Sequence, residues 1–312
     1  MAKSDDIHKK KLSFLEERED ALRNKVGAAE IKLYEILVDN LLDEIESENG
    51  TVKNTPKNIN LLNRLDNLFD QFNGKINLSI IDQYVKDINT NKTLNSSYFE
   101  LFAESKKKFD LIRSKISAST DKLLGLDKDG KIVKKGFLDS FLKDNRNKNE
   151  IQTLLIKGIT GGASIKDLKS DVKFFVQGDK EKTGALSKQY STLIYDTYQQ
   201  IDRTESNIYS EELGMDAFIY SGGKVRDTRK FCCQRNGLIF TKEEAKAWRT
   251  LKFHGKPKNY NPLVDLGGYN CRHSTQYISN VIAAKRRDDL ELDDNGKLVY
   301  SKSGSKQRLH SC

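Results

Sequence analysis

The stretch Ile208-Tyr209-Ser210-Glu211-Glu212-Leu213-Gly214-Met215-Asp216-Ala217-Phe218-Ile219-Tyr220-Ser221-Gly222-Gly223 is where this chain changes character. Up to Leu213 the apolar residues recur at helical spacing. Tyr190, Leu193, Ile194, Tyr198, Ile201 and Ile208 mark the buried side of a long helix predicted over 186–213. Gly214 suits the left-handed position just past a helix end. Ala217-Phe218-Ile219-Tyr220 then reads as a strand, and Ser221-Gly222-Gly223 as the turn that leaves it. A mostly helical chain thus acquires a small sheet here, and the predicted fold class is α+β, mostly α.

Upstream, the pattern is helical throughout. Only Pro56, Pro257 and Pro262 interrupt 312 residues, so the span between the first two permits long helices. Leu15, Leu22, Val26, Ala29, Leu33, Ile36 and Leu37 share one face of a first helix predicted to reach about residue 46, with Asn49-Gly50 as its exit. Leu61, Leu62, Leu65, Leu68, Phe69 and Phe72 stripe a second helix, closed by Asn73-Gly74. A third is expected over 79–88, and a fourth over 96–124 with Phe99, Phe102, Phe109, Ile112 and Ile116 inward. Asp127-Lys128-Asp129-Gly130 opens like a calcium loop but lacks the later acidic ligands, so a polar turn is predicted. Ile151, Leu154, Leu155 and Ile159 begin a further helical region, and Ser164 is placed to cap the helix that follows it.

Downstream, Asn236-Gly237 is a tight turn into the short strand Leu238-Ile239-Phe240. Thr241 and Glu244 form a capping box for a short helix through Trp248. Residues 249–266 read as loop, a strand is expected near 275–278, and 293–300 as a turn or small hairpin.

Lysine and arginine total 54 against 45 acidic residues, a net charge of +9 that favours an anionic neighbour such as nucleic acid without requiring one. Mean hydropathy is −0.67. No run approaches the ~18–20 apolar residues of a spanning helix, and the first eleven residues do not resemble a secretory signal. Synthesis in a reducing cytoplasm is expected, and four cysteines in so long a chain are not a disulfide framework. All four lie beyond residue 231, with three of the four histidines. By type, Cys232, Cys233, Cys271, His254 and His273 are zinc ligands, and Cys271-x-His273 offers two from one segment. Against this, neighbouring cysteines do not readily face one ion and no Cys-x-x-Cys is present; a buried thiol pair beside a hydrogen-bonded histidine accounts for the same residues. The metal candidates are therefore Cys232, Cys271 and His273, no other cofactor is expected, and no small-molecule substrate is evident. A Cys–His pair with Asp227 would suit nucleophilic catalysis, yet no nucleophile elbow or phosphate-binding loop accompanies it.

The order of elements carries a resemblance. A helix holding Arg203-Thr204-Glu205 precedes a strand, then Val225-Arg226-Asp227-Thr228-Arg229-Lys230-Phe231-Cys232, then Arg235-Asn236-Gly237-Leu238-Ile239-Phe240-Thr241, then Gly267-Gly268-Tyr269-Asn270-Cys271-Arg272-His273. Over about residues 150–285 this resembles the Mu F-like minor head protein family of tailed bacteriophages, the phage head morphogenesis proteins. The resemblance implies a low-copy protein of the virion, in the capsid interior or at the portal vertex, that assists head assembly and DNA packaging or delivery. Its implied partners are portal or other head proteins and packaged double-stranded DNA, with no membrane. The implied signature is Asp227, Arg229, Gly237, Gly268, Asn270, Cys271, Arg272 and His273. Where some members carry Cys-x-x-Cys and Cys-x-Cys, this chain has Cys232-Cys233 and Cys271-x-His273.

Physically, the signature reads as a polar and thiol lock: Asp227 and Arg229 flank a strand end and pair with each other or with Arg272, while Cys271 fills a tight core position. The expected organisation is a helical partner-docking domain (1–148), an α+β domain (149–285) and a mobile polar tail (286–312). The competing functions are a metal-dependent nuclease or transferase-type effector carried in the virion, and a plain nucleic-acid-binding protein.

Overall fold

The computed structural model describes residues 2–191, 193, 197–223, 225–302, 304–305 and 307–312. The chain is mostly helical with short antiparallel sheets, the predicted class. The first helix, α1 (Ala2–Asn40), buries the expected Leu15, Leu22, Val26, Ala29, Leu33 and Leu37. It ends earlier than predicted. Asn49 and Gly50, both at positive φ, form instead the turn of a hairpin between β1 (Ser47–Glu48) and β2 (Thr51–Val52). An Asn-Gly pair suits a two-residue hairpin as well as a helix exit, and the strand register decides between them.

Pro56 begins α2 (Pro56–Leu61) with Thr55 as its cap, and α3 (Leu65–Phe72) follows after one 3-10 turn. Asn73-Gly74 does not stop the chain. A π-helical turn, Asn73–Asn77, leads straight into α4 (Leu78–Glu100), so the predicted break between 88 and 96 is absent and the real break precedes α5 (Lys106–Leu124). The Asp127 carboxylate accepts from the backbone N–H groups of Asp129 and Lys131, the polar turn expected there. Next come α6 (Phe137–Leu142), α7 (Arg146–Thr160) and α8 (Ile165–Gln177), the last capped by Ser164 accepting from Asp167 N. The predicted helix over 186–213 is seen as α9 (Ala185–Ser191) and α10 (Tyr198–Glu212); Ile194 lies outside the described residues.

The strand at the changeover is β3 (Ala217–Ser221), followed by α11 (Lys230–Arg235), β4 (Ile239–Thr241) and α12 (Lys242–Lys246). The Thr241–Glu244 capping box forms as read. Beyond the loop come β5 (Ser274–Ile278), α13 (Asn280–Arg286), β6 (Leu290–Leu292) and β7 (Leu298–Tyr300). The sheet runs β4-β3-β5, antiparallel, with Phe218 opposite Phe240 on one side and Tyr277 on the other.

Two compact units divide the chain, and neither is a continuous segment. One comprises Met1–Glu19, Ile88–Asp121 and Tyr195–Cys312; the other comprises Asp20–Asp87 and Lys122–Ile194. The predicted boundary at 148/149 falls inside α7. Composition along a sequence registers consecutive change, and segments drawn from remote positions leave no such mark.

In the second unit, buried Asn58 fastens the β1–β2 hairpin by accepting from Glu46 N and donating to the carbonyls of Glu46 and Lys53. Glu30 accepts from Ser187 N and Oγ, and burial raises its pKa in spite of those bonds.

The first unit holds the sheet and an aromatic core of Tyr98, Phe99, Phe109, Tyr209, Phe218, Tyr220, Phe231, Phe240, Trp248 and Tyr277. Its C-terminal residues are not a loose tail. The β6–β7 hairpin pairs as predicted, Gln307 brackets Ile239 with two hydrogen bonds, and Cys312 is disulfide-bonded to Cys233.

Candidate functional site

Within the first unit, α10 presents a run of buried polar side chains. Asp202, fully buried, pairs with Lys11 Nζ at 2.9 Å and accepts from Asn91 and Ser274. Burial works against this carboxylate, but the Lys11 ammonium and the hydrogen bonds from Lys11, Asn91 and Ser274 hold its pKa below the ordinary value. At Glu205 burial outweighs the pull of the Lys92 ammonium and of its hydrogen bonds. Desolvation raises its pKa to about 7, and Thr120 and Asn95 donate to it at 2.7 and 3.2 Å.

Between these carboxylates in sequence, Arg203 is turned the other way. Arg203 is 2 % exposed, and its guanidinium donates to backbone: to the carbonyls of His273 and Val264 at 2.9 Å and to that of Cys271. Arg229 holds the same loop, donating to Gly267 O at 3.3 Å and to Tyr269 O at 2.6 Å. The loop needs this support because its path is demanding. Leu266, Gly268 and Asn270 all have positive φ, and a Cβ on Gly268 would lie 2.0 Å from Gly255 O.

That path brings Cys271 and His273 inward beside Cys232 of α11. All three are buried, and their ligating atoms lie within 4.8 Å of one another. The two sulfurs are 3.9 Å apart, and Cys271 Sγ is 3.9 Å from His273 Nδ1. Tyr220 Oη donates to Cys232 Sγ at 3.2 Å, and Gly267 N to Cys271 Sγ at 3.3 Å. His273 Nε2 is buried with no hydrogen-bond partner among the described residues. Gly267 has no room for a side chain, since a Cβ would stand 2.2 Å from Cys232 Sγ. The hydrogen bond shared with Cys232 lowers the Cys271 thiol well below its usual range against the effect of burial, helped by Arg203 and His273; the same bond raises Cys232.

The three groups border an open cleft of about 510 Å³ whose rim includes Glu16, Asp227, Arg229, His254 and Arg272. The expected ion pairs within the signature are not made. Asp227 is exposed in the turn between β3 and α11, away from any strand end, with no ion pair among the described residues. Arg272 pairs with Glu19 at 3.2 Å. Gly237, at φ +83°, makes the turn into β4, and Asn270 is an exposed residue of the loop. Adjacent Cys232 and Cys233 separate as their spacing suggests: one faces the cluster and the other the disulfide.

Sequence reasoning missed the roles of Tyr220, Gly267 and Lys11. Arg203 was legible only as part of a motif. An arginine on the buried face of a helix is the signal that marks it as a residue with fixed acceptors.

No family model, curated protein or solved structure matches the chain. Among the described residues, no helix is long and apolar enough to cross a membrane.

Proposed function

We propose that the chain is a minor structural and assembly protein of a tailed-phage head, of the Mu F-like kind, acting in the capsid interior or at the portal vertex. One observation carries the reading. The segments that bear the resemblance, spread from Arg203 to His273, pack on one another, and two of their arginines, Arg203 and Arg229, are spent on backbone carbonyls. An arginine whose donors fix a loop is not offered to a substrate, which supports a scaffold over a catalyst. Asp227, the acid a Cys–His catalyst would recruit, is exposed and outside the buried cluster. The long helices serve as the handle on portal or other head proteins, and the +9 charge suits a neighbourhood of packaged DNA.

Quantitative mass spectrometry of purified particles of the phage that encodes the chain tests this. A few copies per particle are expected. Its presence in the lysate with none in the particles would refute the reading.

The cleft favours one second reading, a metal-dependent nuclease or transferase-type effector carried in the virion, because His254, Asp227 and Glu16 stand on the rim of the thiol–imidazole cluster. Nicking of supercoiled plasmid that requires added divalent metal and disappears in His273→Ala would establish it over the scaffold.

A further inference from the structure

We propose that Cys232 Sγ, Cys271 Sγ and His273 Nδ1 hold one zinc ion, with the fourth coordination position left to water from the cleft. The inference rests on these side chains alone and stands whatever assembly the chain joins.

Geometry is the first support. Zinc bonds of about 2.3 Å to sulfur and about 2.0 Å to nitrogen, at tetrahedral angles, set ligand atoms roughly 3.6–3.8 Å apart. The measured sulfur–sulfur and sulfur–nitrogen separations are both 3.9 Å. Two of the three ligand–ligand separations thus match a zinc site to within tenths of an ångström, and the third, from Cys232 Sγ to the His273 ring, lies within 4.8 Å. The sulfurs are also well beyond the roughly 2.05 Å of a disulfide, so they stand as two separate thiols.

The surroundings are the second support. Thiolate ligands are held in place by donors behind them. Tyr220 Oη and Gly267 N donate to the two sulfurs. Arg203 fixes the carbonyls of both Cys271 and His273 and so orients two ligands from a single side chain. Among the described residues, His273 Nδ1 meets Cys271 Sγ at 3.9 Å and Nε2 has no hydrogen-bond partner. Two thiolates and an imidazole are a donor set suited to zinc rather than to magnesium or calcium. All three residues line the cleft, which gives an ion and a water ligand a route in.

The other polar clusters among the described residues lack this combination. The Lys11–Asp202 pair is already saturated with protein partners. The Arg287–Glu244–Asp289 network is likewise closed on itself.

The test uses the full chain in a Cys233→Ser/Cys312→Ser background, so that Cys232 and Cys271 are the only thiols, kept reduced. Elemental analysis after dialysis against Zn²⁺ should find one equivalent per chain. Replacement by Co²⁺ should give the thiolate-to-cobalt charge-transfer band and the intense visible bands of a tetrahedral site. Cys271→Ser and His273→Ala should each lower zinc affinity at least tenfold. A folded, reduced parent chain that takes up no zinc overturns the proposal. So does a Co²⁺ spectrum without the sulfur band, or full zinc uptake by the Cys232→Ala/Cys271→Ala double variant. Should the single variants fail to fold, the parent chain's stoichiometry and spectrum decide the matter alone.

Discussion

Arg203 shows how much one side chain can hold. Three of its nitrogens bind three carbonyls of a loop that would otherwise bury them unpaired. Lysine at this position would carry the charge but not the fork, leaving at least one carbonyl without a donor. Arg203→Lys should therefore lower unfolding free energy by ~2–4 kcal/mol, read by urea titration through the fluorescence of Trp248, the single tryptophan. A loss below ~0.5 kcal/mol would show that the loop holds itself. Glu205 gives the pH counterpart. Its carboxyl is neutral in the folded protein up to about pH 7, whereas the unfolded chain releases that proton from about pH 4.3. The folded state thus binds the extra proton between those values, and stability falls as pH rises through this window. The total is on the order of 3 kcal/mol. Glu205→Gln should flatten the decline; a variant whose stability falls as steeply as the parent's would assign the pH dependence to other groups.

At the scale of elements, local chemistry explains most of what the sequence made legible. Thr241 and Glu244 cap α12, Ser164 caps α8, and the strand of residues 217–221 follows a helix stopped at Gly214, because each of these choices is settled within a few residues. The misreadings share one cause. Asn49-Gly50 and Asn73-Gly74 look alike in sequence, yet one turns a hairpin and the other passes through a helix, since the neighbours that choose between those outcomes are distant in the chain. The C-terminal residues follow the same logic. Polar composition suggested a mobile tail, but the pairing of Cys312 with Cys233 closes a loop of 79 residues that no local pattern announces. Removing it with Cys312→Ser should cost the oxidised protein ~2–4 kcal/mol, and limited proteolysis should then cut first near residues 301–312. Unchanged stability and protease resistance would mean that Gln307 and the β6–β7 hairpin hold the end without it.

For the molecule as a whole, the candidate site was half legible. Cys232, Cys271 and His273 were singled out by type, and the resemblance pointed to the segments that bring them together. Asp227 was misplaced, because a charged residue near a strand end in sequence need not reach the strand's neighbours in space. The contacts of Tyr220 and Gly267 with sulfur were not legible, since a phenol in a strand and a glycine in a glycine pair look ordinary in one dimension. The central claim is that remote segments close on one buried thiol–imidazole centre that acts as a unit. A double-mutant cycle on unfolding free energy with Cys232→Ala and Cys271→Ala, read by Trp248 fluorescence, tests it most directly. The account predicts a coupling of about 1 kcal/mol or more between two residues 39 positions apart. Losses that add to within ~0.3–0.5 kcal/mol would contradict it, leaving two independent cysteines that happen to lie side by side.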